Sequence, residues 1–243
     1  MFEIVSVFAA LTLASLVRVT AGFGYSLVCV PLLALLLDPL TAVVIAVVSA
    51  VPLNLWVTVR DRAHVARRPA LLLLLSAVAG VPFGLWVINV VAERTLLLVI
   101  ATVVLVSTVL IWRRVRIPGG VPSVAGMSVL SGASFAATAI DGPLLVAGVQ
   151  GSRYSELPPR VQRATLSVVF SVTSTVTMLG FVLTGQLSAS LWPVLVTSVP
   201  AMILGTVVGE SIFRLMDAEW FRRAVLALMV MSSVSIMTRL VTS

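Results

Sequence analysis

The sequence has no lysine, a single cysteine and a single histidine, and only 10% of its 243 residues are charged. Each scarcity excludes something. Cys29 stands alone inside an apolar run, so there is neither a disulfide framework nor metal-ligand spacing, and it reads as a packed core residue. His64 lies among loop arginines and reads as solvated; no nucleophile–histidine pair and no phosphate-binding loop is present. The chain is therefore not expected to be an enzyme, nor to carry a metal or a cofactor. In place of lysine there is arginine, and most of the arginines sit in short loops between apolar runs, which argues against a nucleic-acid partner and for a topology signal. A basic n-region is also missing: Glu3 stands there, and apolar sequence continues well beyond a cleavable length, so no signal peptide is expected.

What is present is hydrocarbon. Hydrophobic residues make up 60% of the chain and the mean hydropathy is +1.17. Such values require runs of about 20 apolar residues, each long enough to cross a bilayer. The expected fold is an all-α polytopic membrane protein made of two inverted repeats, each a broken or re-entrant helical hairpin plus three transmembrane helices.

The first repeat, 1–116, opens with a block at 2–37. As one helix it would reach roughly 50 Å at ~1.5 Å per residue, against a hydrocarbon core of ~30 Å. It is broken at Arg18-Val19-Thr20-Ala21-Gly22-Phe23-Gly24-Tyr25-Ser26, leaving arms of about 15 residues, short for a crossing of ~20. Two such arms make a re-entrant hairpin; the rival is a pair of strongly distorted crossings. Asp38-Pro39 then starts the next helix, with proline tolerated in the first turn. Spans follow at 40–59, 69–91 and 95–112, and a Pro- and Gly-bearing linker at 117–122.

The second repeat, 123–243, runs through a hairpin at 123–149 and spans at 164–184, 191–213 and 220–240. Its break is Ala136-Ala137-Thr138-Ala139-Ile140-Asp141-Gly142-Pro143, and both breaks read Thr-Ala-x-x-Gly. The third elements match as well, as Gly80-x-x-x-Gly84 and Gly205-x-x-x-Gly209. Small residues four apart let helix backbones approach closely in lipid. Paired interruptions in corresponding halves are the best sequence pointer to a transporter's binding site.

Counting arginines tests the topology. Loops 59–69, 113–120, 151–163 and 214–223 hold thirteen of the sixteen, which places them on the cytoplasmic side. Three true crossings per repeat then make the repeats inverted, with both termini on the outer side. Trp56, Trp86, Trp112, Trp192 and Trp220 fall mainly near span ends and read as interfacial anchors.

Gly22-Phe23-Gly24, Asp141-Gly142-Pro143-Leu144-Leu145-Val146, Arg163-Ala164-Thr165-Leu166 and the duplicated plan together resemble the TauE/SafE family of sulfite and organosulfonate exporters, over essentially the whole chain. The resemblance implies a permease of the bacterial inner membrane that moves small sulfur-containing oxyanions, often outward. At the second tip the sequence departs from the family's glycine-rich pattern, with Ile140 and Asp141 in part of it.

The usable chemistry is anion binding. A half-helix starting at a hairpin tip offers free N–H groups and its positive dipole end. Glycines let an oxyanion come close to those groups, and nearby hydroxyls add donors. The candidate substrate-binding residues are Arg18, Thr20, Gly22, Phe23, Gly24, Tyr25 and Ser26 at the first tip and Thr138, Ala139, Asp141, Gly142 and Pro143 at the second. Asn54, Arg163, Ser167 and Ser171 join them from the spans that follow. For the glycines tight packing is the competing account, and for the hydroxyls back-bonding within the helix. Arg18 carries a full charge inside an apolar block, which costs at least ~2.5–3.5 kcal/mol on insertion scales, so it must face a cavity or a partner. Its guanidinium fork matches sulfonate or carboxylate oxygens, while Asp141 and Glu210 are possible structural partners. Arg163 guards an inner mouth or marks the cytoplasmic side. Asp141 could carry a coupling proton.

The expected function is a secondary transporter, working as an exporter, that holds the anion at the midplane between the two tips, with alternating access. The alternatives are a membrane scaffold without transport, with a dry interface between the hairpins, and a passive anion channel. Expected partners are the small anion and the lipid bilayer; pairing as a homodimer is compatible with the sequence.

Overall fold

The computed structural model of the chain describes residues 2–21, 24–140, 142–188, 191–213, 226–227 and 229–231; of residues 2–4, 20, 21, 210, 212 and 213 it describes the backbone alone. The described residues form helices α1 (Phe2–Ala21), α2 (Tyr25–Leu36), α3 (Pro39–Asp61), α4 (Arg67–Val90), α5 (Glu93–Trp112), α6 (Val121–Thr138), α7 (Gly142–Gln150), α8 (Pro159–Leu183) and α9 (Trp192–Phe213), and among them there is no strand. Among the described residues six helices are long and apolar enough to cross a membrane: α3 to α6, α8 and α9. The span expected at 220–240 lies mostly outside the described residues.

Both interruptions break the helix. The two arms of the first hairpin are unequal, however, with 20 residues in α1 and 12 in α2 rather than equal arms. The second hairpin is unequal in the same sense, with 18 residues in α6 and 9 in α7. The reason is where the helix-breaking residues fall: Gly24 and Gly142 lie past the middle of each apolar block. At 1.5 Å per residue α1 reaches about 30 Å but α2 about 18 Å and α7 about 14 Å, short of a ~30 Å hydrocarbon core. α6 begins at Val121, with Pro122 in its first turn, slightly earlier than the sequence suggests. Asp38 starts α3 as expected: its Oδ1 accepts from Thr41 N at 2.9 Å, ahead of which Pro39 needs no donor.

The hairpins are gripped crosswise. α4 packs on α6, and α9 on α1. A Cβ added at Gly80 would land on the backbone of Val129 and Ala133, and one at Gly84 on Ala133 O and Ala136 Cβ; from the other side Gly132 meets Ala77 O. Gly205 likewise meets Thr12 O and Ser15 Cβ, and Gly209 lies 3.2 Å from Leu16. In each half the GxxxG pair thus lets α4 or α9 approach, in parallel register, the first arm of the other half's hairpin. α3 and α8 pack between these units in antiparallel register, with Asn54, Thr58 and Asp61 meeting Ser174, Ser167 and Arg163 in turn.

The ends of the bundle differ. At one end Ala66 N donates to Thr165 Oγ1 at 3.1 Å, Ile117 N donates to Ala147 O at 3.1 Å, and Gly151 seats against the Ile117 backbone. Three arginine-bearing segments, 59–69, 113–120 and 151–163, therefore meet there. The other end is joined by Gln186 Nε2 donating to Asn89 Oδ1 at 2.7 Å. The core between holds Leu11, Val28, Leu33, Ile45, Ile100 and Phe135, with Cys29 fully buried among them. Trp56, Trp86, Trp112 and Trp192 all point outward from their helices.

Candidate functional site

Arg18 is one turn short of the end of α1, and its side chain is buried, only 4% exposed. Its Nη2 donates to Asn54 Oδ1 at 2.8 Å, and its Cζ stands 5.3 Å from the centre of the Phe170 ring. Burying a guanidinium requires both a hydrogen-bond acceptor and a tolerant apolar neighbour; Asn54 supplies the first and the face of Phe170 the second. Asn54 in turn donates from Nδ2 to Ser174 Oγ at 3.4 Å, which ties α1, α3 and α8 at one point. Asp141 and the Glu210 side chain, the acidic partners suggested by the sequence, lie outside the described residues.

The chain turns at Gly24, whose φ of 95° and ψ of 8° are left-handed. No side chain crowds that position: a Cβ there would find Leu27 Cδ1 and Val17 Cγ1 at 3.7 Å. Glycine is needed at Gly24 for its backbone angle and not for helix packing. α2 begins immediately afterwards with no side-chain cap. The first turn of such a helix leaves N–H groups without intrahelical acceptors. Tyr25 is buried, and its hydroxyl lies 2.8 Å from Ser49 Oγ; Ser49 donates to Ile45 O, so Tyr25 is the donor of that pair. Ser26 is 7% exposed, and its hydroxyl has no hydrogen-bond partner among the described residues.

At the second tip Ala139 ends α6 with φ 61° and ψ 9°, its N–H bonded to Phe135 O at 2.6 Å. Ser134 Oγ donates to Ile140 O at 2.7 Å, closing the turn from within. Thr138 Oγ1 donates to Ser134 O at 2.8 Å, the back-bonded arrangement common for hydroxyls in membrane helices.

The two tips meet around one pocket lined by Arg18, Gly24, Tyr25, Ser26, Leu27, Ala50, Asn54, Phe135, Ile140, Gly142 and Phe170. About 20 Å³ of it is open to the centre of a water-sized sphere. That is room for about one water, which needs ~10–15 Å³ on this measure. Of the residues singled out in the sequence, Arg18, Gly24, Tyr25, Ser26, Asn54 and Gly142 are brought together here. Thr138 and Ala139 belong to the tip but do not line the pocket. Pro143 lines a separate groove between α5 and α7. Ser167 and Ser171 sit on the α3–α8 seam: Ser167 O accepts from Thr58 Oγ1 at 2.9 Å, and Ser171 O accepts from Ser174 Oγ at 3.0 Å. Arg163 is at the arginine-rich end, where its Nη2 donates to Asp61 Oδ2 at 2.8 Å. Gly22 and Phe23, like Asp141 and the Thr20 side chain, lie outside the described residues. His64, expected in solvent, is half-buried with Nδ1 shielded.

Phe170, Phe135, Ala50, Ser174 and Asp61 are further residues of the site and its seam that no motif in the sequence marks. Helical spacing offered a signal for three of them: Ala50 is one turn before Asn54, and Phe170 and Ser174 extend the face that carries Ser167 and Ser171.

Fold and site together define a polytopic helical membrane protein with a buried, arginine-bearing pocket where two broken helices meet. The chain belongs to the sulfite exporter TauE/SafE family, whose model matches residues 7–236. The family is one of membrane transporters for sulfur compounds. No curated protein and no solved structure gives a significant match.

Proposed function

We propose that the chain is a secondary transporter that exports a small sulfur oxyanion, sulfite or a short organosulfonate, held between the two hairpin tips. The observation that carries this reading is the convergence at one pocket of the Arg18 guanidinium, the uncapped first turn of α2 and the Ser26 side chain, whose hydroxyl has no partner among the described residues. A buried guanidinium beside a helix N-terminus favours negative oxygens through both charge and hydrogen bonds. Gly142, at the start of α7, brings a second helix N-terminus to the same hollow.

A pocket with room for one water must widen before a sulfite-sized anion fits, which is the behaviour of a carrier and not of a standing pore. A scaffold would need a dry interface between the hairpins, and this one is polar. The crosswise, parallel packing of α1 with α9 and of α4 with α6, together with the antiparallel α3–α8 pair, supports two inverted repeats that rock against one another around the site. The meeting of three arginine-bearing segments at one end supports placing that end in the cytoplasm of a bacterial inner membrane, with both termini outside. Outward movement of an anion is then assisted by the inside-negative potential, about 2.3 kcal/mol per charge per 100 mV. Asp141 is the candidate for carrying a coupling proton.

The test is transport by purified protein in vesicles. Wild-type protein is expected to move sulfite or a sulfonate with saturation. Arg18→Ala is expected to lose at least ~100-fold of that saturable flux, the scale of a charged hydrogen-bonding group withdrawn from a bound anion, while remaining folded. A folded wild-type protein that moves no oxyanion, or an Arg18→Ala variant that transports normally, overturns the proposal.

A further inference from the structure

At the arginine-rich end the α3–α8 seam opens into a hollow of about 580 Å³ lined by Arg60, Asp61, Pro159, Arg160 and Arg163. Asp61 lies on its inner wall, 5% exposed, with Arg163 Nη2 at 2.8 Å from one carboxylate oxygen and Arg60 Nε at 3.7 Å from the other. Arg163 is 41% exposed, yet its Nε is buried without an acceptor. Three guanidinium groups thus surround a single carboxylate, and one buried donor of the Arg163 fork is unused. The carboxylate sits where an oxyanion would be taken by that fork.

This hollow and the pocket at the tips lie along one α3–α8 seam. Going along α3 from Asp61, Thr58 donates to Ser167 O, and Asn54 donates to Ser174 Oγ and accepts from Arg18. Ser167 Oγ, buried between the helices, has no partner. Asp61, Thr58 and Asn54 fall on one face of α3, so a row of polar side chains follows the seam between the two arginines. From Asp61 to Asn54 the rise along the helix is about 10 Å at 1.5 Å per residue.

The geometry points to a second oxyanion station at this mouth, formed by Arg163 with Arg60 and Arg160, in which Asp61 is the resident competitor. An incoming small oxyanion takes the Arg163 fork as the Asp61 carboxylate yields it, and then passes along the seam towards Arg18. The inference rests on the anion-transport reading above and gives the mouth its own chemistry. A tethered carboxylate weakens binding of the mobile anion from this face alone, because the fork must be vacated first.

The experiment measures KM for sulfite separately from each face, in vesicles of defined orientation, alongside thermal stabilisation of the detergent-solubilised protein by sulfite. Asp61→Asn is expected to lower KM from the mouth face by on the order of tenfold, leaving KM from the opposite face within about twofold. Arg163→Gln is expected to raise the mouth-face KM by a similar factor. Arg160→Gln, on the exposed rim and harmless to folding, is expected to raise it about threefold and to flatten its dependence on ionic strength, as lost steering charge does. If Asp61→Asn changes both faces alike, or if Arg160→Gln leaves the mouth-face KM and its salt dependence unchanged, the station does not exist. A wild-type protein that transports while Arg18→Ala does not keeps the tip pocket intact in that event. Wild-type protein that neither moves sulfite nor is stabilised by it overturns both.

Discussion

The two hairpins occupy corresponding places in the two halves, yet their tips are built differently. At the first, the turn is made by a glycine at φ 95°, the following helix starts without a side-chain cap, and Ser26 lines the pocket with no hydrogen-bond partner among the described residues. At the second, the turn is made by an alanine at φ 61°, Ser134 caps the Ile140 carbonyl, and Thr138 bonds back into its own helix. Arg18 precedes the first turn; the corresponding place in the second half, counting from Gly24 and Gly142, is Ala136. The second tip spends the Ser134 and Thr138 hydroxyls on its own backbone, while the first turns Arg18 and Ser26 towards the pocket. The difference teaches that two similar helix breaks need not share one chemistry: the charged and polar groups that line the pocket, Arg18, Ser26 and Asn54, come from the first half.

If the frame is equivalent in both halves, damage to it must hurt equally. Gly80→Ala and Gly205→Ala each drive a methyl into the backbone of the facing hairpin arm. Overpacking of this kind costs about 1–3 kcal/mol, occasionally more. Both variants are expected at the upper end, with matching loss of thermal stability in detergent. Gly209→Ala meets Leu16 at 3.2 Å, where a small shift suffices, and is expected to cost less than either. A Gly80 variant that is severely destabilised beside a Gly205 variant that is not would show that the two frames are unlike.

The tips should separate where the frames do not. Ser26→Ala removes an open hydroxyl from the pocket, and a hydrogen bond to a charged ligand is worth about 1.5–3 kcal/mol. Its KM for the transported oxyanion is expected to rise on the order of tenfold or more, with little change in stability. Thr138→Ala removes a hydroxyl already bonded to Ser134 O, and its KM is expected to stay within about twofold. Equal effects on KM from the two substitutions would erase the functional difference between the tips.

How much of this was written in the sequence follows from what lipid enforces. Hydrocarbon thickness fixes span lengths, and a helix break inside an apolar block cannot be hidden, so the order of helices and the positions of both interruptions were legible. The GxxxG pairs were legible as sites of close approach for the same reason. Which surface each pair touches was not, because the crosswise grip joins segments from different halves. Arg18 announced that it needed a partner, but Asn54 is a neutral residue 36 positions away and carries no mark of that role. Asp61 is 102 residues from Arg163 and looks like any other loop charge. The inequality of the two tips depended on Ser134, whose hydroxyl reaches over the turn to Ile140 and leaves no periodic trace.

The smallest expected effect concerns the turn residues themselves. Ala139 adopts a left-handed conformation that costs an L-residue roughly 1–2 kcal/mol and costs glycine nothing. Ala139→Gly removes that strain. It also gives up the burial of a methyl group, about 0.8 kcal/mol, since Ala139 is fully enclosed, and it adds about 0.5–1 kcal/mol of chain entropy to the unfolded state. The contributions nearly offset, so the thermal midpoint is expected to move by the equivalent of less than ~1 kcal/mol and transport to be unchanged. Gly24→Ala introduces the same strain where a methyl would gain only ordinary contacts at 3.7 Å, and it alters the entrance to the uncapped turn of α2. It is expected to raise KM where Ala139→Gly does not. A large stabilisation by Ala139→Gly would mean that the second tip holds strain beyond what its caps account for, and that it is more than a support.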